Sequence, residues 1–438
     1  YAFVEYFSYT GPLQETVRLL GGFQSSREYW FPEIRSLWGG VLVFGLVLYP
    51  YVYLSVRTFF ALQGTNITDS ARALGASHSR VLFTITLPMA RPAIILGVTL
   101  ALMETINDIG AVDYLGIKTL TYSVFSVWLN QSDLAGAAQL AVFLLLIVFG
   151  LIYLEHISRG SRRYAEHRKT SVAPLPRHTL SGRNAVLATL MTVVPVLLGF
   201  AIPVFVLSGF AFADIGDLFT PRTLEALTTT IALGALAAGI TVTTGLTLSF
   251  LLRSGHNRLK DMFVKLASVG YAVPGTLIAL GVFIPLAAFD NALDSYMRQT
   301  TGVSTGLLLT GSGAALVFAY VVRFMAMAKG SIENGFEKLS PNLDMAARTL
   351  GKNRFQMLHS ILLPLLLPAI SSAALLVFVD VVKELSATIL LRPFGMNTLA
   401  TQVYDFASQG RVEDGAFACI LIMAVGMIPV ILLSRSRQ

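Results

Sequence analysis

Long apolar runs broken by short polar stretches set the pattern of this chain. They lie at Trp38 to Leu62, Pro92 to Met103 and on, with polar interruptions, to Val112, Ala138 to Leu154, Ala185 to Phe210 and Leu224 to Leu252. Others are Met262 to Phe289, Gly306 to Ala328, Leu365 to Val382 and Ala416 to Leu433. A helix needs roughly 20 mostly apolar residues to cross about 30 Å of hydrocarbon. The runs are of that order, and they predict an all-α polytopic membrane protein with about nine transmembrane helices.

The polar stretch Glu155 to Arg183, with Ser158, Gly160, Ser161, Pro174 and Pro176, reads as a linker. It divides the chain into a first repeat, 1–157, a basic linker, 158–183, and a second repeat, 184–438. Across that divide the run from Asp69 to Pro92 reappears, without a gap, from Met345 to Pro368. Leu74 pairs with Leu350, Gly75 with Gly351, Ile85 with Ile361, Leu87 with Leu363, Pro88 with Pro364 and Pro92 with Pro368, at a constant offset of 276 residues. Six predicted spans separate the copies, an even number, so both copies are expected on one side of the membrane and the repeats are parallel. The same offset carries Tyr1 to Leu277, inside a second-half run. The first repeat is therefore expected to lack roughly 90 residues, or about three N-terminal spans, of a full form with about twelve.

Composition agrees with lipid as the solvent: 13% of residues are charged and the mean hydropathy is +0.67, against about 25% charged in soluble globular domains. The formal charge of +7 raises nucleic acid as a partner, and the location of the charge excludes it. With the Arg80 loop taken as cytoplasmic, Arg57 to Arg91, His156 to Arg183, Arg253 to Asp261, Arg323 to Pro364 and the tail hold 22 of the 32 Lys and Arg residues, and the opposite loops hold eight. That is the asymmetry of a membrane protein with its basic loops and its C-terminus in the cytoplasm. The single Cys419 leaves no disulfide or multi-cysteine metal site within the chain. His78, His156, His167, His178, His256 and His359 show no zinc-ligand spacing, and no Ser/His/Asp set is supported by a local pattern.

Each copied segment has a small-residue helical turn, Asp69-Ser70-Ala71 or Met345-Ala346-Ala347, then a basic residue, Leu and Gly. The glycine suits a positive φ that ends a helix. Ser77 and Asn353 suit the cap of a second short helix with Val81 and Leu82, or Phe355, Met357 and Leu358, on its apolar face. Pro88 and Pro92, like Pro364 and Pro368, suit the first turn of the next span. At these residues the sequence resembles the permease subunits of binding-protein-dependent ABC importers. Their signature is Glu-Ala-Ala, three residues, Gly, nine residues, Ile, any residue, Leu-Pro. Ala71, Gly75, Ile85, Leu87 and Pro88 match it, as do Ala346, Ala347, Gly351, Ile361, Leu363 and Pro364. Asp69 and Met345 depart from the usual Glu, and Ser70 from the first Ala; Asp69 keeps the negative charge and Met345 does not. The resemblance implies a type I ABC importer permease fold, with coupling helices that dock on two copies of a separate ATP-binding subunit. This chain has no Gly-x4-Gly-Lys-Ser/Thr loop. It is expected to bind no cofactor, with ATP and Mg on the partner and no catalytic residue of its own.

Just past each loop lie ionisable groups at the same offset: Glu104, Asn107 and Asp108, then Asp380, Lys383 and Glu384. Spacings of three and four predict one helical face for each trio. Charge at mid-bilayer costs about 2.5–3.5 kcal/mol on the translocon scale, so such faces turn into the bundle or a water path. Two readings stand: a translocation path, or a lock in which Lys383 pairs with Glu104, Asp108 or Glu384.

The segments Tyr29 to Leu54, Met103 to Leu129 and Val382 to Ser408 resemble fused two-repeat permeases of ferric iron importers. That resemblance implies an Fe3+ substrate delivered by an extracytoplasmic, periplasmic binding protein to the bacterial inner membrane. Glu104, Asp108, Asp380, Glu384, Tyr6, Tyr9 and Tyr114 carry the hard oxygen donors that ferric iron favours, and the tyrosines equally suit an interfacial aromatic belt. Fused permeases with the same loops also serve thiamine and other small solutes, and an ion-coupled secondary transporter is the distant alternative.

Overall fold

The computed structural model describes residues 1–63, 66–159, 179–213, 220–253, 262, 267, 270–340 and 342–435. The helices are α1 (Ala2–Phe7), α2 (Pro12–Gly21), α3 (Leu37–Gln63), α4 (Asn66–Ala73), α5 (His78–Val81), α6 (Leu87–Asn107), α7 (Gly110–Tyr114), α8 (Leu120–Leu129), α9 (Leu134–Arg159) and α10 (Gly182–Val196). There follow α11 (Ile202–Ala213), α12 (Pro221–Arg253), α13 (Gly275–Thr301), α14 (Ala314–Glu337), α15 (Asn342–Thr349), α16 (Arg354–Met357), α17 (Leu363–Val382), α18 (Thr388–Leu391), α19 (Leu399–Ser408) and α20 (Val412–Arg435). Among the described residues no strand occurs, and nine helices are long and apolar enough to cross a membrane. The protein is an all-α polytopic membrane protein. The expected linker, 158–183, lies outside the described residues from 160 to 178.

Four spans have ends elsewhere than the hydropathy pattern predicts. The run from Pro92 to Val112 belongs to a helix from Ser79 to Asn107, that from Leu365 to one from Arg354 to Val382, and that from Gly306 to one from Ala314 to Glu337. Of the run from Met262, residues 263–266, 268 and 269 lie outside the described residues, and its later part belongs to a helix from Gly275 to Thr301. Hydropathy counts apolar residues, whereas hydrogen bonds set the ends. The buried Asp290 carboxylate accepts the Leu309 and Thr310 N–H groups at 3.1 and 2.9 Å, and Asp294 accepts those of Thr305 and Gly306 at 2.8 and 3.0 Å. Leu307 to Leu309 are therefore loop residues held against α13, despite their hydropathy.

Three π turns, Leu82–Thr86, Leu197–Ala201 and Leu358–Leu362, join α5 to α6, α10 to α11 and α16 to α17. Each runs directly into an X–Pro pair: Leu87-Pro88, Ile202-Pro203 and Leu363-Pro364. The residue before each proline donates its N–H five residues back, to Leu82, Leu197 and Leu358. Proline has no N–H to give, and its ring presses on the carbonyl four residues earlier. A wide turn relieves that clash and keeps the helix going. The short helix after each loop glycine is therefore continuous with the following span, where the prolines had suggested a fresh start.

The chain forms two compact units, Tyr1–Tyr122 with Val142–Val206, and Ser123–Ala141 with Leu207–Gln438. In the first, α3 and α6 touch backbone to backbone: a Cβ on Gly97 would stand 2.5 Å from the Val52 Cα. In the second, α12, α14 and α17 pack on one another through small buried residues, among them Ala237, Ala238, Thr241, Ala319, Ala328 and Ala373. Small side chains let helices approach where burial against lipid gives no hydrophobic gain.

Candidate functional site

The two copied loops adopt the same local structure, element by element, at the 276-residue offset. Gly75 and Gly351 take φ of 84° and 73°. Gly75 N–H donates to the Arg72 carbonyl at 2.9 Å and Ala76 N–H to Ala71 at 3.1 Å; Gly351 donates to Arg348 at 3.0 Å and Lys352 to Ala347 at 3.1 Å. This pair of bonds is the Schellman arrangement, which closes a helix around a left-handed residue. The next helix is capped by Asn353, whose side chain accepts the Gln356 N–H at 2.8 Å while the Gln356 side chain accepts the Asn353 N–H at 3.0 Å. Ser77 receives only a 3.4 Å contact from the Arg80 N–H. Val81 and Met357 are buried, whereas Leu74 and Leu350 are 89% and 77% exposed. Ala71, Ile85, Pro88, Ile361 and Leu363 are half-buried, Ala347 is buried, and Asp69, Ala346, Leu87 and Pro364 are exposed.

The charge absent at Met345 is present one residue earlier. Asp344 forms a two-pronged ion pair with Arg253 at the end of α12, at 2.9 and 3.1 Å, and Arg253 also donates to the Phe336 carbonyl at 3.0 Å. Neither residue stood out in the sequence, because the signature directs attention to position 345. A second shared detail was likewise not foreseen. The Thr84 hydroxyl bonds the Arg80 carbonyl, and the Ser360 hydroxyl, at the matching position, bonds the Gln356 carbonyl at 2.6 Å.

Beyond the loops the single-face expectation for the charged trios is corrected. Helix α6 stops at Asn107 and α17 at Val382, so Asp108 and Glu384 lie past the helix ends and turn to the next segment. Asp108 accepts the Ala111 N–H at 2.7 Å; Glu384 accepts the matching Ala387 N–H at 2.9 Å and that of Thr388 at 3.0 Å. Each carboxylate thus starts the short helix that follows it.

Glu384 is buried and ion-paired with Arg323 at 2.7 Å, and Thr388 donates its hydroxyl to Glu384 and bonds the Tyr320 hydroxyl at 2.6 Å. Arg323, counted above with a cytoplasmic loop, is the tenth residue of α14 and largely buried. Lys383 pairs with Asp380 at 2.9 Å, and Glu104 receives the Tyr51 hydroxyl at 3.3 Å. Tyr114 donates to Glu5 at 2.9 Å. Burial first, then that bond, pushes its phenol up to about 12, so at neutral pH it is protonated. Among the described residues no three His, Cys, Asp or Glu side chains gather as a metal site.

Nine apolar helices, among the described residues, with two matched helix-turn segments between them define the class: a multi-pass α-helical membrane protein. More closely, the chain belongs to the family described as binding-protein-dependent transport system inner membrane component, whose profile matches residues 29–163 and 242–436. It is 24% identical to the Fe(3+)-transport system permease protein FbpB 2 of Haemophilus influenzae, over 92% of this chain and 77% of that protein. It is 23% identical to a provisionally named 2-aminoethylphosphonate transport system permease protein, PhnV, of Salmonella typhimurium, over 52% of this chain and 80% of that one. Among solved structures, a crystal structure of a bacterial alginate ABC transporter, in complex with an alginate pentasaccharide-bound periplasmic protein, aligns with a TM-score of 0.45. The alignment has 13% identity and covers 57% of this chain and 92% of that one.

Proposed function

We propose that the chain is the permease of an ATP-driven importer of ferric iron. In this reading two parallel repeats line the path, a periplasmic binding protein delivers the ion, and two copies of an ATP-binding subunit, which hold ATP and Mg, dock on the two loops. The loops and the C-terminus are cytoplasmic. The observation that carries the reading is the duplicated loop: two Schellman-closed helices with an exposed leucine before each glycine, 276 residues apart. Support for iron comes from the Fe(3+)-transport relative, which spans most of the chain. The phosphonate-transport relatives favour a second reading, the same machine with another small solute, and thiamine belongs with it. Glu104, Asn107 and Asp380, only half-buried, are the path candidates; Glu384, consumed by its own hydrogen bonds, is a lock within its unit.

The test is reconstitution in liposomes with ATPase and binding protein, scored by ATP-dependent uptake of iron, thiamine and 2-aminoethylphosphonate. Iron uptake that requires ATP supports the proposal. Uptake of another solute alone moves the substrate, and uptake without ATP removes the importer reading.

A further inference from the structure

Phe394 is 110% exposed, more open than any other large apolar side chain among the described residues. Its place in the second unit follows from α14. That helix runs from Ala314 toward the loop at 342–362, so its N-terminus lies across the membrane from the loop. A Cβ on Gly313, just before α14, would stand 3.1 Å from the Met396 Cε and 3.9 Å from the Pro393 Cγ. With the loop cytoplasmic, the segment that carries Phe394 sits at the extracytoplasmic end of α14.

The two repeats differ there in length. In both, a threonine starts the helix that follows: Thr119 accepts the Tyr122 N–H at 3.2 Å, and Thr398 the Thr401 N–H at 3.3 Å. Three residues separate Leu115 from Thr119, and six separate Leu391 from Thr398. The extra length forms a tight turn. Met396 N–H donates to the Pro393 carbonyl at 3.1 Å around Gly395, whose φ is 81°, which is the type II pattern with Phe394 at the first corner. Arg392 closes the turn by donating to the Asn397 side chain at 2.5 Å, and it is tied to Asp405 at 3.2 Å. Pro393 and Met396 are half-buried. The turn is thus held on both sides while its aromatic ring is left open.

Such a ring has apolar area to bury and no polar group that favours water. Residues of the interfacial belt are Trp and Tyr, whose polar tips sit among the headgroups, and Phe has no such tip. The residues that brace it, Arg392, Asn397 and Asp405, are polar. An aromatic side chain with polar neighbours, on a segment already fixed in shape, has the form of an interface hot spot and loses little freedom on binding.

We propose that Phe394 anchors the solute-binding protein on the second unit, its ring entering an apolar pocket on that protein's surface. The proposal rests on the reading of the chain as an importer permease. The family is binding-protein-dependent, and this face is the one that a partner outside the cytoplasm can reach.

The test uses the permease–ATPase complex in lipid nanodiscs and the binding protein that sustains uptake in the reconstitution described above, loaded with its solute. Phe394→Ala is expected to weaken binding by about tenfold or more, and Phe394→Trp to retain most of it. Thermal unfolding of Phe394→Ala should match the wild type, because the ring supports nothing within its own chain. With p-benzoylphenylalanine at position 394, illumination should join the permease to the binding protein. Unchanged binding by Phe394→Ala, or capture of lipid alone at position 394, overturns the anchor and leaves the importer reading standing. Failure of the wild-type complex to bind any such protein overturns the importer reading, and the anchor with it.

Discussion

Asp108 and Glu384 occupy matched positions and perform the same backbone task, yet their surroundings make them unequal. Where the second unit has Arg323, Tyr320 and Thr388, the matched positions of the first hold Val47, Phe44 and Val112. Replacing Glu384 by Gln strands a buried guanidinium, a change that costs about 3–5 kcal/mol in other buried pairs. Asp108→Asn keeps an oxygen for the Ala111 N–H and is expected to cost less than about 1 kcal/mol. Thermal unfolding of the purified variants in detergent checks the contrast. Equal destabilisation by the two changes would show that Arg323 is not what sets Glu384 apart. The acids themselves were visible in the sequence. Their roles were not, because a spacing of three and four implies one face only while the helix lasts, and both helices end within the trio.

At the scale of elements, the loop glycines carry the sharpest expectation. A β-branched side chain in the left-handed region is strained by roughly 1–2 kcal/mol, and each loop depends on that conformation for both Schellman bonds. Gly75→Val together with Gly351→Val is expected to abolish uptake and reduce co-purification of the ATPase. Normal uptake by an intact complex would remove these loops from the coupling role. The loop helices, their glycine ends and the Asn353 cap were all legible from residue types at fixed positions. The π turns were not. A sequence shows a proline in a helical run, and whether the run stops, kinks or widens depends on where the displaced carbonyl finds a donor. Here the residue before each proline turns its N–H five residues back, to the Leu82 or Leu358 carbonyl, and the span continues.

For the whole molecule, the distribution of basic residues makes an experiment on sidedness direct. With Cys419 replaced by Ala, single cysteines at Ser79 and Phe355 are expected to react with a membrane-impermeant maleimide only from the cytoplasmic face, and one at Thr305 only from outside. Labelling of Ser79 and Phe355 from opposite faces would make the repeats inverted and end the two-loop reading. Nine spans were legible because roughly 20 apolar residues leave few alternatives in lipid. The short helices α7, α8, α18 and α19 were not, since each is a fragment whose start is fixed by a side chain such as Asp108, Glu384 or Thr398 and not by a run of hydropathy.

The Arg323–Glu384 pair also bears on how the chain is made. Arginine enters in the middle of α14, and its neutralising carboxylate lies 61 residues further along the chain. At about 5–20 residues per second of synthesis, that is a delay of roughly 3 to 12 s. During that interval α14 carries an unpaired cation and is poorly suited to release into lipid. The helix is therefore expected to linger beside the insertion machinery until the end of α17 emerges, so that this half of the protein leaves for the bilayer as a group of helices and not one at a time.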